Sequence, residues 1–144
     1  MNKIYNSGYF VTDILYKKES YAIIGAAMEV YNELGPGFLE AIYHDALKFE
    51  LQTCGIFFES EKSLSVYYRG HQLSHTYVAD LICNQRILLE LKATKEINEI
   101  HLAQVYNYLK ATGLALGYVI NFGYPEKLQW KRVVMSDNLI EDEL

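Results

Sequence analysis

No apolar run in the 144-residue chain approaches the ~20 residues that a membrane-spanning helix needs. The N-terminus also lacks the apolar stretch and small-residue cleavage site of a secretory signal. These absences predict a cytoplasmic protein with no membrane partner. Cysteine is scarce as well. Cys54 and Cys83 are too few for a disulfide framework and lack a paired zinc spacing, so free, buried thiols are expected. His44, His71, His75 and His101 make no H-E-x-x-H or related zinc pattern, and His71 and His75 read as surface positions of one strand. There is no internal repeat and no low-complexity linker.

What remains is a chain with 51% hydrophobic residues, enough for one sizeable core and too short for two. Its net charge of −5 counts mildly against a protein that coats nucleic acid. The charge is uneven, however. Residues 1–60 balance at −4, residues 61–135 at +3, and the tail with Asp137, Glu141, Asp142 and Glu143 at −4. The basic middle is the informative part.

The segment up to Glu19 has no strong period. Ser20 is a plausible N-cap for a helix through Leu34, with Ile23, Ile24, Ala27, Val30, Tyr31 and Leu34 at helical spacing. The "GPG" of Gly35 to Gly37 stops it. A second helix is predicted from Phe38 to Thr53, its apolar side built from Leu39, Ile42, Tyr43, Ala46, Leu47 and Phe49. From Ile56 the period moves toward two. Three consecutive strands are expected in "FFESEKSLSVYYRG", "LSHTYVADLIC" and "RILLELKA", with turns near Gly70 and Asn84. A third helix fits "NEIHLAQVYNYLKAT" before Gly113, and "LALGYVINF" and "LQWKRVV" read as two further strands. The order is helices, a three-strand meander, a helix, then two strands. It implies an α/β fold with a central mixed β-sheet flanked by helices. The expected division is an N-terminal segment at 1–19, one domain at 20–135 and an acidic tail at 136–144.

Three charges interrupt the meander: Asp80, Glu90 and Lys92. Strand alternation puts Glu90 and Lys92 on one face. Asp80 joins them only if residue 80 lies opposite residue 90. A two-residue turn at Asn84 and Gln85 would pair 80 with 89, whereas a three-residue loop over Asn84 to Arg86, or a bulge, restores the pairing. Two carboxylates and an ammonium so placed suit a hard divalent cation such as Mg²⁺ or Mn²⁺, with Lys92 positioned to act on water or phosphate. The plain alternative is a surface ion pair beside an incidental aspartate.

An Asp followed on the next strand by E-x-K (Asp80, then Glu90-Leu91-Lys92) resembles the PD-(D/E)XK nuclease superfamily. Ala79 stands where the superfamily's name has Pro. "LGPGFLEAIY", with Gly37, Glu40 and Tyr43, is similar to the signature of the GxxExxY family, a bacterial branch of that superfamily, and Gln104 and Tyr108 match the QxxxY motif of RecB-like nucleases. The resemblance covers about Ser20 to Val134. It implies a restriction-endonuclease-like core, a divalent metal, and phosphodiester hydrolysis in nucleic acid, DNA ahead of RNA. It would make Asp80, Glu90 and Glu40 metal ligands with the Leu91 carbonyl, and Lys92 the base or electrostatic stabiliser beside Glu90 and Asp80 as catalytic residues. Gln104, Tyr108, His101 and Tyr43 would contact substrate. A homo-oligomer is compatible with the sequence. The rival function is a catalytically silent nucleic-acid-binding or protein-interaction module on the same fold.

Overall fold

A computed structural model describes residues 15–138. The expected N-terminal segment as far as residue 14, and the acidic tail from residue 139, lie outside the described residues. The elements run α1 (Lys17–Leu34), α2 (Glu40–Thr53), β1 (Phe58–Tyr68), β2 (His71–Cys83), β3 (Ile87–Lys92), α3 (Glu99–Thr112), β4 (Leu116–Asn121), β5 (Gln129–Val134) and a 3₁₀ turn at Ser136–Asn138. Among these described residues no helix is long and apolar enough to cross a membrane.

The five strands form one mixed sheet in the order β1-β2-β3-β4-β5. All neighbours are antiparallel except β3 and β4, which run parallel. A parallel pair needs a long crossover, and α3 supplies it. The helices therefore take opposite faces. Ile23, Ala27 and Val30 of α1 with Tyr43, Leu47 and Leu51 of α2 pack on Leu81, Leu89, Leu91 and Ile120. Val105 and Leu109 of α3 pack on Ile82, Leu88 and Val119 from the other side. With both faces covered, β3 and β4 carry near-continuous apolar residues, as fully buried strands do. Each fully buried leucine contributes about 2–3 kcal/mol relative to exposure.

Three sequence expectations need correction. Helix α1 begins at Lys17, and Ser20 lies buried within it rather than capping it. The residues Lys17, Lys18 and Glu19 continue the helix without a break, so the polar Ser20 marks no boundary. On α2 the buried stripe is Tyr43, Leu47 and Leu51, while Leu39 (79%) and Phe49 (69%) are exposed. That helix has more apolar residues than one i, i+4, i+8 stripe can bury. Cys83 is buried but Cys54 is exposed at the C-cap of α2, and burial pushes the Cys83 thiol up to about 12.

One polar network fixes the far ends of β3 and β4. The fully buried Asn121 accepts from the N–H groups of Thr94 and Gly123, and its amide donates to Gln129, whose Oε1 also accepts from Ile97 N–H. The Phe122 N–H donates to the Lys92 carbonyl at 2.9 Å. This network pins the segment that runs from Lys92 into α3. Asn98 then caps α3 reciprocally with His101: the Asn98 side chain accepts His101 N–H, and His101 Nδ1 accepts Asn98 N–H.

Gly123 permits that crossing, because a Cβ there would sit 2.2 Å from the Thr94 carbonyl oxygen. Gly123→Ala is expected to cost at least the ~1–3 kcal/mol of an overpacked site. Gly25 in α1 is the internal control, since its added Cβ would meet nothing within 4 Å, and Gly25→Ala should stabilise by about 0.5–1 kcal/mol through helix propensity. Urea denaturation of both variants measures the two effects, which should have opposite signs.

Candidate active site

Strand β2 pairs with β3 at only three positions, Leu81 with Leu89, Ile82 with Leu88 and Cys83 with Ile87. The connection is the three-residue loop Asn84 to Arg86, with Asn84 (φ 53°) and Gln85 (φ 60°) left-handed and Arg86 N–H returned to the Cys83 carbonyl. This register places residue 80 opposite residue 90. Beyond Leu81 the strands part, and Asp80 and Glu90 stand at the mouth of the fork. The parting leaves the Leu91 N–H without a strand partner, and the Asp80 carboxylate accepts it at 2.9 Å. A side chain thus replaces the missing rung.

Asp80 is also where β2 turns over. Tyr77 stacks on Tyr108 of α3 with ring centroids 3.5 Å apart. Ile82, five positions later, packs against the same helix. In an uninterrupted strand an odd separation would put them on opposite faces. Residues on either side keep one register with β1, but Glu61 and Asp80 form no ladder pair, and Glu61 carries a φ of 51°. The irregularity frees Asp80 from the sheet and brings its carboxylate within reach of α2.

There Glu40 opens the helix and His44 lies one turn later. His44 Nε2 is 3.5 Å from Glu40 Oε1 and 3.7 Å from Asp80 Oδ2. Glu40, His44 and Asp80 each bring a ligand atom to within 4.8 Å of the others. His44 is the residue that the strand motif does not reveal. Its only signal in the sequence is the i, i+4 spacing from Glu40.

Glu90 adds the electrostatic tension. It is 9% exposed, and its Oε1 is buried without a hydrogen-bond partner. Burial raises its pKa to about 7, and Glu40 adds to that, while a backbone hydrogen bond from Asp80 and the Lys92 ammonium oppose it. Leaving a carboxylate oxygen buried and unpaired costs free energy unless a proton or a cation arrives. Two carboxylates and an imidazole, those of Asp80, Glu40 and His44, form a donor set that suits a divalent cation; Glu90 lies outside that set, and its orphaned Oε1 is the second sign of fit.

The remaining expected residues are not equally placed. Tyr108 is half-buried, and its phenol is pushed up by burial and then by Glu90 and Asp80. His101 is pulled down by burial and by Lys92, with Nδ1 engaged in the helix cap. Gln104, on the same stripe of α3, is exposed. Tyr43 departs from its expected substrate contact. It is fully buried and stacked on Phe122, and its hydroxyl donates to the Gly35 carbonyl and accepts from Phe38 N–H. Those bonds make it a latch for the loop between α1 and α2. A cavity of about 680 Å³, lined by Met28, Tyr31, Tyr124 and Trp130 among others, includes none of the charged residues at the fork.

A mixed sheet held between helices and forked at an Asp and a Glu-x-Lys defines a restriction-endonuclease-like protein. A family model described as the PD-(D/E)XK nuclease superfamily matches residues 17–133, and the chain belongs to that superfamily. The crystal structure of SSO0001 is similar with a TM-score of 0.52 at 18% identity, over 86% of this chain and 65% of that one. The chain therefore spans less than two thirds of that protein, and the likeness is one of fold. No curated protein matches the sequence.

The raised pKa of Glu90 fixes the sign of a pH dependence in metal-free protein. Below pH 4.5 the carboxyl is protonated in both folded and unfolded chains. Between its usual 4.5 and about 7 the folded protein holds a proton that the unfolded chain releases, so stability falls as pH rises and levels off above about 7. The drop should be on the order of 3 kcal/mol. Denaturation across this range should show it, and Glu90→Gln should flatten the slope.

Proposed function

We propose that this protein is a divalent-metal-dependent nuclease of the GxxExxY branch, hydrolysing phosphodiester bonds in nucleic acid, with DNA as its substrate. The observation that carries the reading is the buried, partnerless Oε1 of Glu90 beside the Glu40–His44–Asp80 cluster. Asp80, Glu40, His44 and Glu90, with the Leu91 carbonyl, would hold the cation. When bound, it supplies charge neutralisation at the phosphate and a lowered pKa for an attacking water.

The chain's own groups do the rest. Asp80 holds its carboxylate in place through the Leu91 N–H. Lys92 follows Glu90 by two on β3, and its main chain is fixed through Phe122. Its ammonium would orient water or meet negative charge growing on the phosphate, and only its neutral amine form would accept a proton from water. Tyr108 and His101 border the same space, and exposed Gln104 continues their stripe toward substrate. Because His44 brings a nitrogen donor, the site should favour Mn²⁺ over Mg²⁺, which prefers oxygen ligands alone.

Lys92→Ala should leave Mn²⁺ binding near wild type and lower the cleavage rate by about 10² to 10⁴. Asp80→Asn should weaken both, while keeping an oxygen for the Leu91 N–H so that the fold survives. Calorimetric titration with Mn²⁺ and Mg²⁺, beside cleavage of single- and double-stranded DNA and RNA, separates these effects. Wild-type cleavage by Lys92→Ala would assign the activity to another site. A wild type that neither binds metal nor cleaves would leave the silent binding module as the better account. In the same titrations His44→Ala should reduce the Mn²⁺ preference over Mg²⁺.

A further inference from the structure

We propose that the outer half of the β1–β2 ribbon is a docking arm for double-stranded DNA, which lies along the major groove and leads the duplex to the fork. This deepens the nuclease reading and rests on it. Residues 62–79 contain no Asp or Glu, an acid-free stretch of 18 residues in a protein of net charge −5. They form the two strands that run out from Asp80.

His71 to Thr76 are exposed at every position. Strand side chains alternate between faces, so an unbroken exposed run means that neither face is covered there. Among the described residues it is the base of the ribbon that is packed, where Leu64 and Tyr77 meet α3. The ribbon closes on Arg69 and Gly70, both with positive φ, between paired Tyr68 and His71. Arg69 lies over the Tyr68 ring at 5.4 Å, which fixes a cation at the tip. Lys62 is already engaged by Glu59 at 2.9 Å, so Arg69 is the principal phosphate partner. Hydroxyl and amide groups line the strands, with Ser63 bonded to Thr76 and Gln72 to Ser65 across them.

A two-stranded ribbon is an element that the ~12 Å major groove of B-DNA admits, whereas the deep, narrow major groove of an RNA duplex does not. The length also fits. The nine steps from His71 to Asp80 span about 30 Å at ~3.4 Å each, close to the ~34 Å of one helical turn. An arm in the groove can therefore reach one turn while the fork faces a backbone phosphate.

The test is fluorescence anisotropy in EDTA, with a DNA duplex of about 30 base pairs (nearly three helical turns), its single strand, and the RNA duplex of the same sequence. Wild-type protein should bind the DNA duplex most tightly. The variant Tyr67→Ser/Tyr68→Ser/Arg69→Asn, with Asn chosen because it tolerates positive φ, should lose at least tenfold in duplex affinity. Its salt dependence should fall by about one phosphate contact, with an unchanged melting temperature, and Arg69→Lys should retain most of the salt dependence. Duplex affinity unchanged in the triple variant would overturn the proposal. So would equal wild-type affinity for the RNA duplex or the single strand, or a change confined to oligomeric state in sedimentation. Cleavage with Mn²⁺ is scored separately. Cleaving protein whose duplex binding ignores the arm defeats the arm alone, and non-cleaving protein whose duplex binding depends on the arm defeats the nuclease reading alone.

Discussion

A carboxylate without a partner, held where water scarcely reaches, is the constraint on which the rest of the site depends. Glu90 sits in the middle of the most buried part of the sheet, between Leu89 and Leu91, both fully buried. A side chain chosen for stability would be apolar there, since a buried unpaired charge is costly. The surrounding fold has to supply the difference, and it does so with a covered sheet: α1 and α2 on one face, α3 on the other. Stability bought by two apolar layers is what lets one position in β3 remain electrostatically unsatisfied.

The fork is the device that brings this residue together with the others. Were β2 to stay paired along β3, Ala79 would take the Leu91 N–H and Asp80 would be one more strand residue. By ending the ladder at Leu81 the sheet creates one unpaired N–H and one unpaired side chain, and each satisfies the other. Just past the fork the C-terminal end of β3 is held by different means, with Asn121 and Gln129 spanning the crossing at Gly123. Lys92 lies between these two fixed points. Its backbone is clamped there, through the Phe122 N–H on its carbonyl.

Much of this was legible in the chain. Charges set into apolar strands marked Asp80, Glu90 and Lys92, and the demand that 80 oppose 90 required the three-residue loop that Asn84 to Arg86 form. The parallel crossover followed from a helix between strands. Other features were not legible, for physical reasons. His44 joins the cluster only because the strand turns over at Asp80, and that depends on the left-handed Glu61 rather than on any glycine that would announce it. Tyr43 looked available because a tyrosine one turn from an acid resembles a site residue. Its hydroxyl is claimed by backbone groups of the neighbouring loop, a partner that periodicity does not show. Apolar residues on α2 gave no way to tell the buried stripe from Leu39 and Phe49.

The acidity of the chain posed the hardest question for a protein of this superfamily, because a polyanion is repelled by net negative charge. Net charge is a poor guide when the charges are segregated over distances longer than the screening length. At physiological salt that length is about 8 Å, while the ribbon tip stands about 30 Å along β2 from Asp80. The carboxylates at the fork are therefore largely screened from anything that meets Arg69 first. Acids are absent from residues 62–79 and return immediately beyond them, at Glu61 and Asp80. A polyanion approaching the tip meets no acid, and one lying against the fork without a cation meets Asp80 and Glu40 beside the buried Glu90. Under the nuclease reading proposed above, repulsion at the fork and none at the arm would make productive contact conditional on a metal, and the acidity that argues against nucleic-acid binding would be a local requirement of the chemistry.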